Sequence, residues 1–229
     1  MQVRTAYWKG FKASAPLLLG IFPFAMIVGT MAVAAGMTLA SSFGLSLFDF
    51  AGASQLAIID LVGKEAPMFI LIITALVINM RFLIYSAGMA PHFKGLKVKH
   101  KAMLSYLLTD QAYILGVSNF EKGAEKSQGM WYYLGAASAL WIVWQIGTAA
   151  GIFLGKGAPE SWGLDFAVPL SFIALLVPTL KNKASGFAAA TAAAAILLVN
   201  SLPMNMGLIV AVIIGVASGL IISRKGDLI

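Results

Sequence analysis

Phe48-Asp49-Phe50-Ala51-Gly52-Ala53-Ser54-Gln55 is a run of small and polar residues set inside long apolar stretches, and its reading decides the fold. Gly permits unusual dihedrals and close backbone approach, while Ser and Gln add hydrogen-bonding groups. Non-helical backbone at membrane depth is tolerated only against protein or water. Half a chain later Leu164-Asp165-Phe166-Ala167-Val168-Pro169-Leu170-Ser171 forms a related run. Matching breaks in two hydrophobic halves point to the binding region of a transporter.

The rest of the composition agrees with a membrane setting. Of 229 residues, 60% are hydrophobic and 11% charged, and the mean hydropathy is +0.88. A soluble domain is nearer half apolar and a quarter charged. The chain has no Cys and only two His, His92 and His100. That composition excludes disulfides and thiolate metal sites and argues against a His-based metal or catalytic centre. We therefore expect neither metal nor cofactor. The net charge of +7 belongs to residues flanking apolar segments, where they set membrane orientation, and not to a nucleic-acid surface.

Outward from the opening motif, eight apolar segments are legible, each near the ~20 residues a membrane helix needs. They are roughly 14–37, 43–63, 66–90, 102–119, 130–154, 164–180, 185–201 and 205–223. Residues 1–13 precede them, with Arg4, Tyr7, Trp8, Lys9 and Lys12 as an interfacial anchor. Gly147, Gly151 and Gly155 recur at four-residue spacing, as do Gly215 and Gly219. Such spacing puts glycines on one helix face, where another helix can approach closely.

If all eight segments cross, basic loops fall on both sides, against the positive-inside tendency. If segments 43–63 and 164–180 enter and return on the same side, six crossings remain and both termini are cytoplasmic. Arg4, Lys9, Lys12, the lysines of 91–101, Lys156, Lys181, Lys183, Arg224 and Lys225 then share the inner side. Lys64, Lys122 and Lys126 lie outside, and Arg81 within the membrane. The expected fold is thus an all-α polytopic membrane protein forming one membrane domain over 1–229. Its halves, 1–120 and 130–229, form an inverted-topology repeat of six crossing helices plus two broken or re-entrant elements. In such repeats the site sits at the midplane between the halves. Gly29-Thr30 finds an echo in Gly147-Thr148.

The candidate substrate-binding residues are Gly52, Ala53, Ser54 and Gln55 in the first break, with Pro169 and Ser171 in the second. A half-helix N-terminus suits the carboxylate of a free amino acid, and unwound carbonyls suit its ammonium. Asp49 and Asp165 are either helix caps or groups that meet substrate or protons. Counting inward from the loop 91–101, Arg81 and Asp110 both lie ~12–14 Å deep at ~1.5 Å per residue. Charges at that depth are paired or face a cavity, so the two are expected to meet, with Asn79 and Thr109 nearby. They form either a static ion pair or a coupling element.

Pro23-Phe24, Phe50-Ala51-Gly52-Ala53-Ser54-Gln55, Asn79-x-Arg81 followed by Tyr85, Leu108-Thr109-Asp110 and Leu164-Asp165-Phe166 together resemble the AzlC family, the large subunit of branched-chain amino acid exporters. The resemblance covers nearly the whole chain. Where the family reads Leu-Thr-Asp-Glu, this chain has Gln111 in place of the Glu. It implies export of Leu, Ile, Val and similar amino acids across a prokaryotic cytoplasmic membrane, with a small hydrophobic AzlD-type subunit as partner. No Gly-x-x-x-x-Gly-Lys-[Ser/Thr] nucleotide motif is present, so a secondary transporter working by alternating access is expected rather than an enzyme. A membrane-embedded aspartate hydrolase would need two carboxylates at one point. A non-transporting assembly subunit is the other alternative.

Overall fold

The computed structural model describes residues 3–155, 180, 182–199 and 206–226, and these are helical apart from turns. In chain order the helices are α1 Val3–Ala13, α2 Ala15–Ala34, α3 Leu39–Phe48, α4 Gly52–Gly63, α5 Met68–Asn79 and α6 Arg81–Met89. They continue as α7 Val98–Tyr106, α8 Asp110–Glu121, α9 Lys126–Gly155, α10 Lys183–Val199 and α11 Met206–Gly226. Two of them, α2 and α9, are long and apolar enough to cross a membrane. A third span results if α5 and α6, bent by 41° at Met80, are taken together.

The frame is a long parallel pair. α1 runs almost straight into α2, because Ser14 keeps helical dihedrals and its hydroxyl donates back to Phe11 O at 2.7 Å. α9 lies alongside in the same direction. Tyr7 and Gly10 meet Tyr132 and Gly135 at one end, Phe22 and Ala25 meet Gly147 farther along, and Gly29 and Thr30 meet Thr148 and Gly155 towards the other end. A Cβ at Gly151 would collide with the Met26 backbone, and one at Gly29 with Thr148 O. The glycine spacing therefore brings two backbones into contact, and Thr30 Oγ1 donates to Gly151 O at 3.1 Å. Pro23 is exposed on α2, away from this seam, while the next residue, Phe24, faces inward.

The end where α1 and α9 begin is called the lower end here, and the opposite end the upper. At the upper end Gly36, at φ +76°, lets the chain reverse out of α2. α3 then descends along α9: the Phe43 ring lies by Phe153, and Ser46 bonds Gln145 and Thr148. The helix breaks at Asp49–Ala51. α4 climbs back along α2, from Gly52 beside Phe24 to Gly63 beside Ala35. Segment 43–63 is thus a helical hairpin opening at the upper end.

α5 descends from that end and α6 continues to the lower end, where Met89 packs with Tyr133. α7 rises as far as Tyr106, whose hydroxyl donates to Leu47 O at 2.7 Å. After a break at Leu107–Thr109, α8 descends: Tyr113 stacks on Tyr85, Gly116 abuts Met89 and Tyr133, and Phe120 packs on His92 and Gly129. Gly123, at φ +84°, turns the chain into α9.

This corrects the expected topology in two places. Segment 102–119 is not one continuous helix but a second helical hairpin, opening at the lower end. Its arms are too short to span, at nine and twelve residues. The lysines Lys122 and Lys126 consequently begin and end their turn beside the loop 91–101, not opposite it. Segments 14–37 and 130–154, expected to run oppositely as partners in an inverted repeat, run parallel, and the Gly-Thr echo between them is their packing seam. Segment 164–180 and its partner motif lie outside the described residues, save for Leu180. α10 and α11 form an antiparallel pair sealed by Gly215 and Gly219 against Ala188 and Ala192.

Candidate functional site

Three interruptions of helix converge at mid-height of α9: Asp49–Ala51, Met80 and Leu107–Thr109. Each interruption ends one helix and begins another, so each offers a negative C-terminal end and a positive N-terminal end. The two kinds of end are sorted into two cavities. Gly52 and Ala53 of α4, Arg81 of α6 and Asp110 and Gln111 of α8 line the first. Phe48 and Asp49 at the end of α3, Asn79 at the end of α5, and Ser105 and Tyr106 at the end of α7 line the second. Phe50 and Phe82 line both and form the partition.

The first cavity is rich in donors. Ala51 is the N-cap of α4 and gives no side-chain cap. The first N–H groups of a helix have no intrahelical acceptor, so those of Gly52 and Ala53 are open to this cavity. The start of α8 is closed by contrast, because Thr109 Oγ1 accepts from Ala112 N at 3.2 Å. Arg81 Nη1 lies 2.9 Å from Asp110 Oδ2, and Tyr85 donates to Asp110 Oδ1 at 2.6 Å. Both charged side chains stay about one-third exposed to the cavity, at 31% and 35%. Arg81 Nε and Trp144 Nε1 are buried donors without a partner. Ile21, Phe24, Leu140 and Trp144 supply the apolar wall.

The second cavity is rich in acceptors. Asn79 Nδ2 donates to Asp49 Oδ1 at 2.8 Å, and Gln55 Nε2 donates to the Asp49 carbonyl. Asp49 Oδ2, Asn79 Oδ1, Gln55 Oε1 and Ser54 Oγ are buried with no hydrogen-bond partner. Asn79 and Arg81, on either side of the Met80 bend, thus each hold the tip of one hairpin.

The structure divides the residues named from sequence. Gly52, Ala53, Arg81, Thr109 and Asp110 share the first cavity, and Asp49 and Asn79 the second. Asn79 meets Asp49 rather than the Arg81–Asp110 pair. Ser54 and Gln55 are fully buried and line neither cavity; Gln55 braces the turn at Asp49. Pro169, Ser171 and Asp165 lie outside the described residues, and so does any meeting of Asp165 with Asp49. Sequence reasoning missed Trp144 and Phe82. Trp144 carried a signal, as an indole in the middle of an apolar segment instead of at its interface.

The profile of the AzlC protein family matches residues 16–157, which hold both hairpins and α9. The chain belongs to the AzlC family. Among the relatives of this AzlC protein is the inner membrane protein YgaZ of Escherichia coli K12, 23% identical over 221 residues, or 94% of this chain and 90% of that protein. An uncharacterized membrane protein of Archaeoglobus fulgidus is 28% identical over 179 residues, 76% of each chain. One of Helicobacter pylori J99 is 26% identical over 182 residues, 77% of this chain and 78% of that one. No solved structure matches. Composition, apolar helices and membrane-protein relatives together make this an integral membrane protein.

Proposed function

We propose that this AzlC protein is a secondary transporter that exports branched-chain and similar apolar amino acids by alternating access. The observation that carries the reading is the first cavity. It sets open helix N–H groups and a guanidinium against a wall of Ile21, Phe24, Leu140 and Trp144. The substrate carboxylate docks on the start of α4 and on Arg81. Its ammonium takes Asp110 as Arg81 turns to the carboxylate, and its aliphatic side chain lies on the apolar wall. One methylene in such a wall is worth only ~1–3 kcal/mol, so selectivity between Val and Leu is low.

The two hairpins open at opposite ends, which supplies a gate for each face. Arg4, the 91–101 lysines and Lys122 gather at the lower end and Lys64 at the upper, which favours a cytoplasmic lower end in a prokaryotic membrane. A small hydrophobic AzlD-type subunit is the proposed partner, and Met68, Ile72, Leu76 and Leu83 offer it an exposed apolar face.

Counterflow of labelled leucine in proteoliposomes, with and without that subunit, tests the reading. Leucine accumulation that unlabelled valine and isoleucine drive, and lysine does not, is expected. No flux under either condition contradicts the exporter and leaves an assembly subunit as the better account.

A further inference from the structure

We infer that the buried oxygens clustered at Asp49, in the wall behind the second cavity, form a binding site for a small monovalent cation, with sodium as the ion. Asn79 Oδ1 and Gln55 Oε1 have no hydrogen-bond partner, and Asp49 Oδ2 and Ser54 Oγ have none but each other, held beyond normal hydrogen-bond length. Leaving such an acceptor buried and unpaired is costly, and several gathered about one carboxylate favour an electropositive occupant. The side chains of Ser54 and Gln55 are completely buried, so water at the surface does not satisfy them. Ser54 lies against the Asp49 carboxylate, and Gln55 is tied to the Asp49 carbonyl. Three of the four residues are therefore fixed by one turn of chain, and Asn79 is bonded to the same carboxylate at 2.8 Å.

The charges point the same way. Asp49 forms no salt bridge among the described residues, where Lys64 pairs with Asp60 and Arg81 with Asp110. The nearest guanidinium is already committed to Asp110. The ends of α3, α5 and α7 present their C-terminal partial charges to the cavity, which adds negative potential where the carboxylate already sits. One carboxylate with neutral oxygens and no nitrogen or sulfur is the donor set of a hard cation. A single negative charge matches a monovalent ion better than a divalent one. The arrangement complements the donor cavity beyond Phe50 and Phe82: anionic groups find N–H ends on one side, cations find C=O ends on the other.

Such an ion ties the tip of the upper hairpin to α5 by bridging Asp49, Ser54 and Gln55 to Asn79. Its departure leaves one Asn–Asp hydrogen bond holding the two together. Sodium binding thereby controls whether the upper hairpin stays shut, which couples an ion gradient to the gate.

The test is thermal melting of the purified full-length chain in detergent, at constant ionic strength, as NaCl replaces choline chloride or KCl. The readout does not depend on transport, so its failure and failure of the exporter reading are separate results. A saturable rise of Tm by roughly 5–10 °C is expected as sodium reaches about a hundredfold excess over its Kd. Asp49→Asn should remove the sodium dependence, Ser54→Ala should shift its midpoint to higher sodium, and Asp110→Asn should leave it intact. A Tm equal in sodium, potassium and choline overturns the proposal. So does a sodium effect that survives both Asp49→Asn and Ser54→Ala. Stabilisation by leucine alone, with no sodium effect, assigns the acceptors to a substrate ammonium and also overturns it.

Discussion

Arg81→Ala is expected to abolish the proposed leucine export and also to lower the melting temperature of the protein, whereas the pair Arg81→Gln with Asp110→Asn is expected to recover the melting temperature without recovering export. The two parts have different causes. Alanine at 81 leaves Asp110 with Tyr85 alone, and stripping one partner from a desolvated pair costs about 2–5 kcal/mol. Exposure of the pair to the cavity puts the cost at the lower end. Gln and Asn replace the ion pair by a neutral hydrogen bond that needs no counter-charge, so stability returns. Export does not, because the carboxylate has lost a charge-assisted partner. That loss is about 2–3 kcal/mol, on the order of 10²-fold in substrate affinity. Circular-dichroism melts together with counterflow separate the two effects. Wild-type export by the neutral pair would reduce Arg81–Asp110 to a static strut.

Gly52→Val blocks the site from the other side. A Cβ at Gly52 comes within 2.5 Å of Phe24 Cε1 and of Trp144 Cη2. These are ring edges that can yield, so the helix still folds, but they are also the wall of the first cavity. Pushed outward by a branched side chain, they fill the space at the open end of α4, and the first N–H groups are screened from any ligand. Counterflow should fall by more than about tenfold, since the carboxylate loses hydrogen bonds worth ~1.5–3 kcal/mol. Gly52→Ala should fall between the two. Melting should shift little in either variant. Undiminished counterflow by Gly52→Val would move the carboxylate seat elsewhere.

Much of this site was legible because polarity is conspicuous in an apolar chain. Asp49 to Gln55 announced a break, and the matched depths of Arg81 and Asp110 brought them together. The lysine pattern likewise required segment 43–63 to return on the side it entered. The second hairpin was hidden for a physical reason. Residues 102–119 have the length and hydropathy of a single span, and two half-helices of that total length look the same to any count of apolar residues. The loop after it, with Glu121, Lys122, Glu125 and Lys126, balances its charges, so placing it on either side broke no rule. The role of Gln55 was hidden too. A polar residue in an apolar wall signals a hydrogen bond, but not whether its partner is a ligand or the Asp49 carbonyl. The bend at Met80 lacks Pro or Gly and shows only in the polar residues on either side of it.

The central claim is that two hairpins enter from opposite faces and meet at mid-depth. The chain has no native cysteine, so single cysteines at Lys64 and Lys122 can be labelled in intact cells with an impermeant maleimide. The account predicts labelling of Lys64→Cys from outside and of Lys122→Cys only after the membrane is opened. Labelling of Lys122→Cys from outside would make segment 102–119 a crossing helix and contradict the paired hairpins.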